Sequence, residues 1–121
     1  MKAETLIYDK VKLIIPDNSD KTVFFAAISN TSHEVFFYSY IGGTPIQCFS
    51  LAEEGILEEN ELDRTFEEIV KIIKNSKVYS ENKLNVATIT LEKAGIKMSM
   101  DYYENDARLY KIKKDWMQTC L

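Results

Sequence analysis

Side chains that commonly act as nucleophiles, bases or metal ligands are few in this 121-residue chain and lie far apart. The sequence contains one histidine, His33, and two cysteines, Cys48 and Cys120. A thiolate–imidazole pair needs both residue types in one place, and a structural zinc site needs about four such ligands at close spacing. Neither arrangement is indicated, so we expect no catalytic residue, no bound metal and no cofactor. His33 is predicted to lie in a solvated turn.

Carboxylates are numerous and often adjacent, as at Glu53-Glu54 and Glu67-Glu68. Adjacent side chains on a helix point in different directions, and a solvated carboxylate keeps an ordinary pKa. These pairs are therefore not typical of an acid/base dyad.

The charge of the chain is unevenly distributed along its length. The net charge is -4, but residues 53–68 hold eight carboxylates against one cation, Arg64, while residues 69–99 hold six lysines against two glutamates. Part of this asymmetry follows from the helix dipole, which favours carboxylates at a helix start and lysines at its end. The carboxylates that precede the helix are not explained in this way. A concentrated negative field favours a basic protein partner, and it argues against direct binding of nucleic acid.

Helical spacing of apolar residues predicts three helices. The first covers residues 3–15 and the second covers about residues 58–75, with carboxylates early and lysines late. A third helix near the end of the chain carries Trp116, and Asp106 is predicted to cap it.

Runs of aromatic and β-branched residues predict two antiparallel hairpins. One joins residues 23–28 to residues 35–41, and the other joins residues 86–91 to residues 96–103. A short third strand is predicted at residues 44–49. The expected fold is a single α+β domain with an antiparallel sheet of four to five strands in the order αββ(β)αββα, its helices covering one face and leaving the other partly open.

The N-terminal residues contain no apolar run typical of a secretory signal, and no later segment is long and apolar enough for a membrane span. We therefore expect a cytoplasmic protein that does not bind membranes. In that reducing compartment both cysteines are expected to be free thiols.

Two acidic groups form the candidate binding surface, one around the second helix and one at the end of the last strand. Tyrosine beside carboxylates is common in protein interfaces. Two structural alternatives stay open, a solvated helix face for the first group and a polar strand end for the second. The candidate residues are Glu58, Glu59, Glu61, Asp63, Glu67, Glu68, Asp101, Tyr103, Glu104 and Asp106.

Several sequence segments, taken in order, point to a known family. They are the helix end Ile14-Ile15-Pro16, the strand Val35-Phe36-Phe37-Tyr38-Ser39-Tyr40, the acidic second helix, Gly95-Ile96-Lys97 leading into Asp101-Tyr102-Tyr103-Glu104-Asn105-Asp106, and Trp116 close to a terminal leucine. Over nearly its whole length, the chain resembles the YezG-like immunity family. Members of this family are small antitoxins paired with nuclease toxins that bacteria deliver to neighbouring cells in competition.

The resemblance implies a toxin inhibitor that needs no cofactor. Such a protein binds the C-terminal nuclease domain of its cognate toxin and masks the active site or the substrate groove. The residues themselves leave an alternative open, a non-catalytic adaptor or regulatory module that binds a host protein or peptide, for example by strand addition at a sheet edge. A small-molecule enzyme would need convergent polar groups in a pocket, which the sequence does not indicate. The oligomeric state is not predicted.

Overall fold

The computed structural model describes residues 2–121 and confirms the α+β class. Five strands form one antiparallel sheet in the order β3-β2-β1-β4-β5. Four helices accompany it, so the element order is αβββααββα. The elements are α1 (Ala3–Val11), β1 (Lys21–Ile28), β2 (His33–Ile41), β3 (Thr44–Gln47), α2 (Cys48–Glu53), α3 (Glu59–Lys74), β4 (Leu84–Glu92), β5 (Gly95–Tyr103) and α4 (Leu109–Cys120).

The main core lies between the sheet and helices α1 and α3. Phe24 of β1 is paired with Phe37 of β2 on one side and with Ile89 of β4 on the other, and all three side chains are fully buried. Phe66 of α3 packs edge-on against Phe37, with 6.2 Å between the ring centroids. The apolar face of α3 is buried here because its apolar residues recur at spacings of three and four.

Helix α4 packs against the opposite face of the sheet. Its Trp116 lies 5.2 Å from Phe25 and 5.7 Å from Phe36 between ring centroids, and the Trp116 Nε1–H donates a hydrogen bond to Thr88 Oγ1 at 2.9 Å. Helix α4 thus lies over β1, β2 and the middle of β4, and alternate residues of the outermost strand, β5, stay exposed on this face. The expectation that the helices cover only one face was wrong, because α4 covers part of the second face; that face is open only on its β5 side.

Three predicted boundaries differ from the structure near helix ends. Helix α1 ends at Val11 and not at residue 15, because the N–H groups of Ile14 and Ile15 both donate to the Val11 carbonyl in a terminal turn. Strand β3 ends at Gln47, and α2, which was not predicted, follows it immediately. Asp106 does not cap α4, because it lies in a turn and the capping position belongs to Arg108.

The turn residues explain why the hairpins close. Gly42 and Gly43, between β2 and β3, have φ values of 61° and 82°, a left-handed conformation that glycine adopts without steric cost. Among residues 2–121, no helix is both long and apolar enough to cross a membrane.

A fully buried asparagine anchors the segment between α3 and β4. The Asn85 side chain accepts a hydrogen bond from the Ser80 N–H at 2.8 Å and donates to the carbonyls of Ser80 and Lys83 at 2.7 and 2.9 Å. Asn85→Ala leaves these groups unpaired, so we expect the free energy of unfolding to fall by about 1–3 kcal/mol in urea denaturation. Exposed Asn82 is the control, since Asn82→Ala should change it by less than about 0.5 kcal/mol. Equal effects of the two substitutions would contradict this role of Asn85.

Candidate functional site

The structure separates the two predicted acidic groups. Helix α3 lies on the sheet face that carries Phe37. Asp101 and Tyr103 lie on the opposite face, which carries α4. Successive side chains of a strand point to opposite faces, so Asp101 and Tyr103 are on the same side of β5 as Ser99. Ser99 is paired with Thr88, whose hydroxyl accepts the hydrogen bond from Trp116 of α4. The ten candidate residues therefore do not form one continuous surface.

Helical spacing divides the first group into two flanks. Glu59, Asp63 and Glu67 are four residues apart and share the flank beside α2, where Glu59 lies in one shallow depression with Glu53. Glu68 lies on the other flank, in a depression shared with Leu6 of α1. Glu61 shares this second flank by its helical spacing, and Glu58 occupies the capping position of α3.

Most of these carboxylates have no cationic partner. Among residues 2–121 there are four ion pairs within 4.0 Å, and only the pair between Arg64 and Glu61, at 3.3 Å, involves the segment from residue 53 to residue 68. Like charges four residues apart, as at Glu59, Asp63 and Glu67, destabilise a helix. Of these three, only Glu59 lies in the first turn, where the helix dipole offsets this effect. The helix dipole therefore gives no reason for carboxylates at Asp63 and Glu67.

Two exposed apolar side chains accompany the carboxylates. Phe49 of α2 is 40% exposed while its ring lies 6.4 Å from that of Phe66, and Ile56, in the link between α2 and α3, is 54% exposed. Sequence reasoning missed both, because Phe49 is predicted to lie in a strand and Ile56 falls in a segment for which no element is predicted. We call this region the acidic corner, defined by Phe49 and Ile56 together with Glu53, Glu54, Glu58, Glu59, Asp63 and Glu67.

The acidic corner has a simple structural origin. Cys48 and Leu51 are three residues apart and fully buried, which holds α2 against β2 and β3. Leu62 and Phe66 bury the opposite side of α3. Unburied side chains of α2 and of the α2 side of α3, among them Glu53, Glu59 and Asp63, then face solvent near the junction of the two helices.

The second acidic group is more nearly balanced in charge. Glu104 forms an ion pair with Lys83 at 2.5 Å, and Asp106 is exposed in a turn. Partial burial, followed by the charges of Asp101 and Asp115, raises the pKa of Tyr103, which keeps its hydroxyl protonated and able to donate. This group offers hydrogen bonds but less unpaired negative charge than the acidic corner.

The side chains considered first for chemistry lie apart from one another. His33 is exposed and begins β2, so its prediction as a turn residue was wrong. Burial raises the pKa of the Cys48 thiol to about 11, so this thiol is protonated near neutral pH. Both cysteines are free thiols, as expected. Within residues 2–121, no group of three or more His, Cys, Asp or Glu side chains is arranged to hold a metal ion.

Comparison with known proteins adds no relative. No protein-family model matches the chain, and a search of curated proteins found no match. The resemblance to YezG-like immunity proteins therefore stays a prediction. The acidic corner is defined by the contacts, exposure and charge of its own residues.

Proposed function

We propose that this chain is an immunity protein, an antitoxin that binds a cognate nuclease toxin domain through the acidic corner and masks its active site or substrate groove. The observation that carries the proposal is the set of carboxylates around exposed Phe49 and Ile56 that have no cationic partner among residues 2–121. The chain also resembles YezG-like proteins in several sequence segments that follow one another in the same order, and this resemblance supports the same function.

The composition of the corner fits a protein interface. Protein interfaces commonly combine an apolar or aromatic centre with a polar rim, and Phe49 and Ile56 supply such a centre. Unpaired carboxylates around it attract a basic partner and disfavour an acidic one. The partner is therefore expected to be a protein with a strongly basic face.

A nuclease domain has such a face, because it must bind the phosphates of its substrate. The carboxylates of Glu59, Asp63 and Glu67, which follow one another along α3, can occupy the positions that phosphates of the nucleic acid take in the toxin's substrate groove. Inhibition of this kind is stoichiometric and needs no cofactor, since a protein that fills the groove excludes the nucleic acid directly.

Co-expression with the protein encoded by the adjacent reading frame tests this function. We expect that protein to stop growth when expressed alone, and this chain to restore growth and to co-purify with it in equimolar amounts. Glu92→Lys, at an exposed site outside the corner, should protect as well as the wild type. Absence of both binding and protection would overturn the proposal.

The alternative function is an adaptor that binds a host protein or peptide by strand addition. One observation favours it: within the part of the chain that the structure describes, no strand pairs with the outer edge of β5. An adaptor would bind its partner without protecting cells from a toxin, so the growth assay separates the two functions.

A further inference from the structure

The two edges of the sheet differ in length and chemistry. Strand β3 forms one edge with four residues, including Pro45, which has no N–H to offer a new strand. Strand β5 forms the other edge with nine residues, and every one of them is paired with β4. The β5 edge is therefore long, regular and without proline.

An exposed edge of this kind is unusual without protection. Native proteins shorten such edges, interrupt them with proline or a bulge, place charged side chains on them, or cover them, because unpaired N–H and C=O groups attract another strand. Of these devices β5 has only its charged side chains, Lys97 and Asp101, which a second copy of the strand could pair. The continuous pairing of β5 shows no bulge, and α1 packs on one face of the strand. An open depression of about 770 Å³ lies beside this strand, between its residues Ile96, Lys97 and Met98 and the start of α1 at Lys2, Glu4 and Thr5.

The residues of β5 are chemically symmetric about Ser99. Lys97 and Asp101 lie two residues to either side of it with opposite charges, and Met98 and Met100 lie next to it. Farther out, half-buried Ile96 is matched by the aromatic Tyr102. A second β5 running antiparallel through this centre would place Lys97 opposite Asp101 twice.

The directions of the backbone N–H and C=O groups of β5 permit this antiparallel pairing about Ser99. Glu92 lies opposite Gly95 across a two-residue turn, so Gly95 and every second residue after it bond to β4. The N–H and C=O groups of the intervening residues, including Met98 and Met100, then point outward. Pairing Met98 with Met100 of a second copy satisfies these outward groups, and it puts the two Ser99 residues directly opposite each other.

From these features we infer that β5 is a self-association edge, at which two copies of the chain join antiparallel about Ser99 into one continuous sheet. Opposite charges across strands stabilise the pairing, and the two methionines extend the apolar face under α1. The acidic corner is left free, since α2 packs on β2 and β3, toward the other edge of the sheet. The dimer thus presents two acidic corners, and its formation does not depend on the proposed function.

Sedimentation equilibrium with charge variants tests the edge. At about 100 µM we expect the wild type at twice its 14.0 kDa monomer mass. Lys97→Asp and Asp101→Lys should each raise the dimer dissociation constant by about ten-fold or more, because each turns two attractive pairs into repulsive ones. The double variant should restore the dimer, and Lys93→Asp in the turn should leave it intact. A monomeric wild type, or a double variant no better than the single ones, would overturn the inference.

Disulfide trapping then tests the register, in a Cys120→Ser background to remove the partly exposed thiol. Ser99→Cys should cross-link efficiently, because the paired Cα atoms would be about 4.5 Å apart, within disulfide range. Lys97→Cys should not, since its two copies would be offset by about 13 Å along the strands. Circular dichroism shows whether each variant is folded. Equal cross-linking of both folded variants, or of neither, would contradict a pairing centred on Ser99.

Discussion

The combined variant Glu59→Lys, Asp63→Lys and Glu67→Lys is expected to associate with the basic partner about ten- to a hundred-fold more slowly than the wild type. Each substitution changes the charge by two, so the net charge moves from -4 to +2, and the flank of α3 beside α2 becomes basic. Dissociation should change less than association. Stopped-flow rates at about 0.05 M and about 0.5 M salt should show the difference shrinking as screening increases.

A charge-matched variant separates the corner from the overall charge. Asp17→Lys, Glu81→Lys and Glu92→Lys give the same net charge at three exposed sites outside the acidic corner. This control should associate with the partner much faster than the variant with three lysines on α3. If the two variants slow association equally, or if the rates do not depend on salt, the acidic corner does not steer the partner.

Phe66→Ala is expected to lower the free energy of unfolding by about 3–5 kcal/mol. Phe66 is only 6% exposed, and its ring packs edge-on against those of Phe37 and Phe49. The substitution leaves a cavity between α3 and the sheet, which the surrounding rings can fill only in part. Urea denaturation measures the loss.

Two further substitutions separate the contribution of Phe66 to stability from that of Phe49 to binding. Phe66→Leu keeps most of the buried volume and should cost about 1.5 kcal/mol or less. Phe49→Ala removes a half-exposed ring of the acidic corner, so it should weaken binding more than it weakens folding. A loss below about 1 kcal/mol for Phe66→Ala would show that the site collapses without a cavity.

The sequence predicted well those elements whose apolar residues repeat regularly. Helix α3 was expected at about residues 58–75 and spans Glu59–Lys74, because its apolar residues recur at spacings of three and four. Both hairpins were also predicted. In β1 and β2 the aromatic runs are buried on both faces of the sheet, since α4 covers the face opposite α3.

Short elements and their placement in three dimensions could not be predicted in this way. Helix α2 has six residues, too few for a clear period, and Phe49 was read as part of a strand. The two acidic groups were treated as one surface because both are acidic. Only the tertiary structure shows that the sheet lies between Glu59 and Asp101, and that Lys83 partly neutralises the second group through Glu104.

Carboxyl footprinting of the complex tests the central claim most directly. The free chain and its complex with the protein from the adjacent reading frame are labelled with a carbodiimide and an amine, and modification is measured at each carboxylate by mass spectrometry. The account predicts that Glu53, Glu59, Asp63 and Glu67 become protected in the complex while Glu92 is labelled equally in both states. Equal labelling of the acidic corner in the free and bound chain would contradict it.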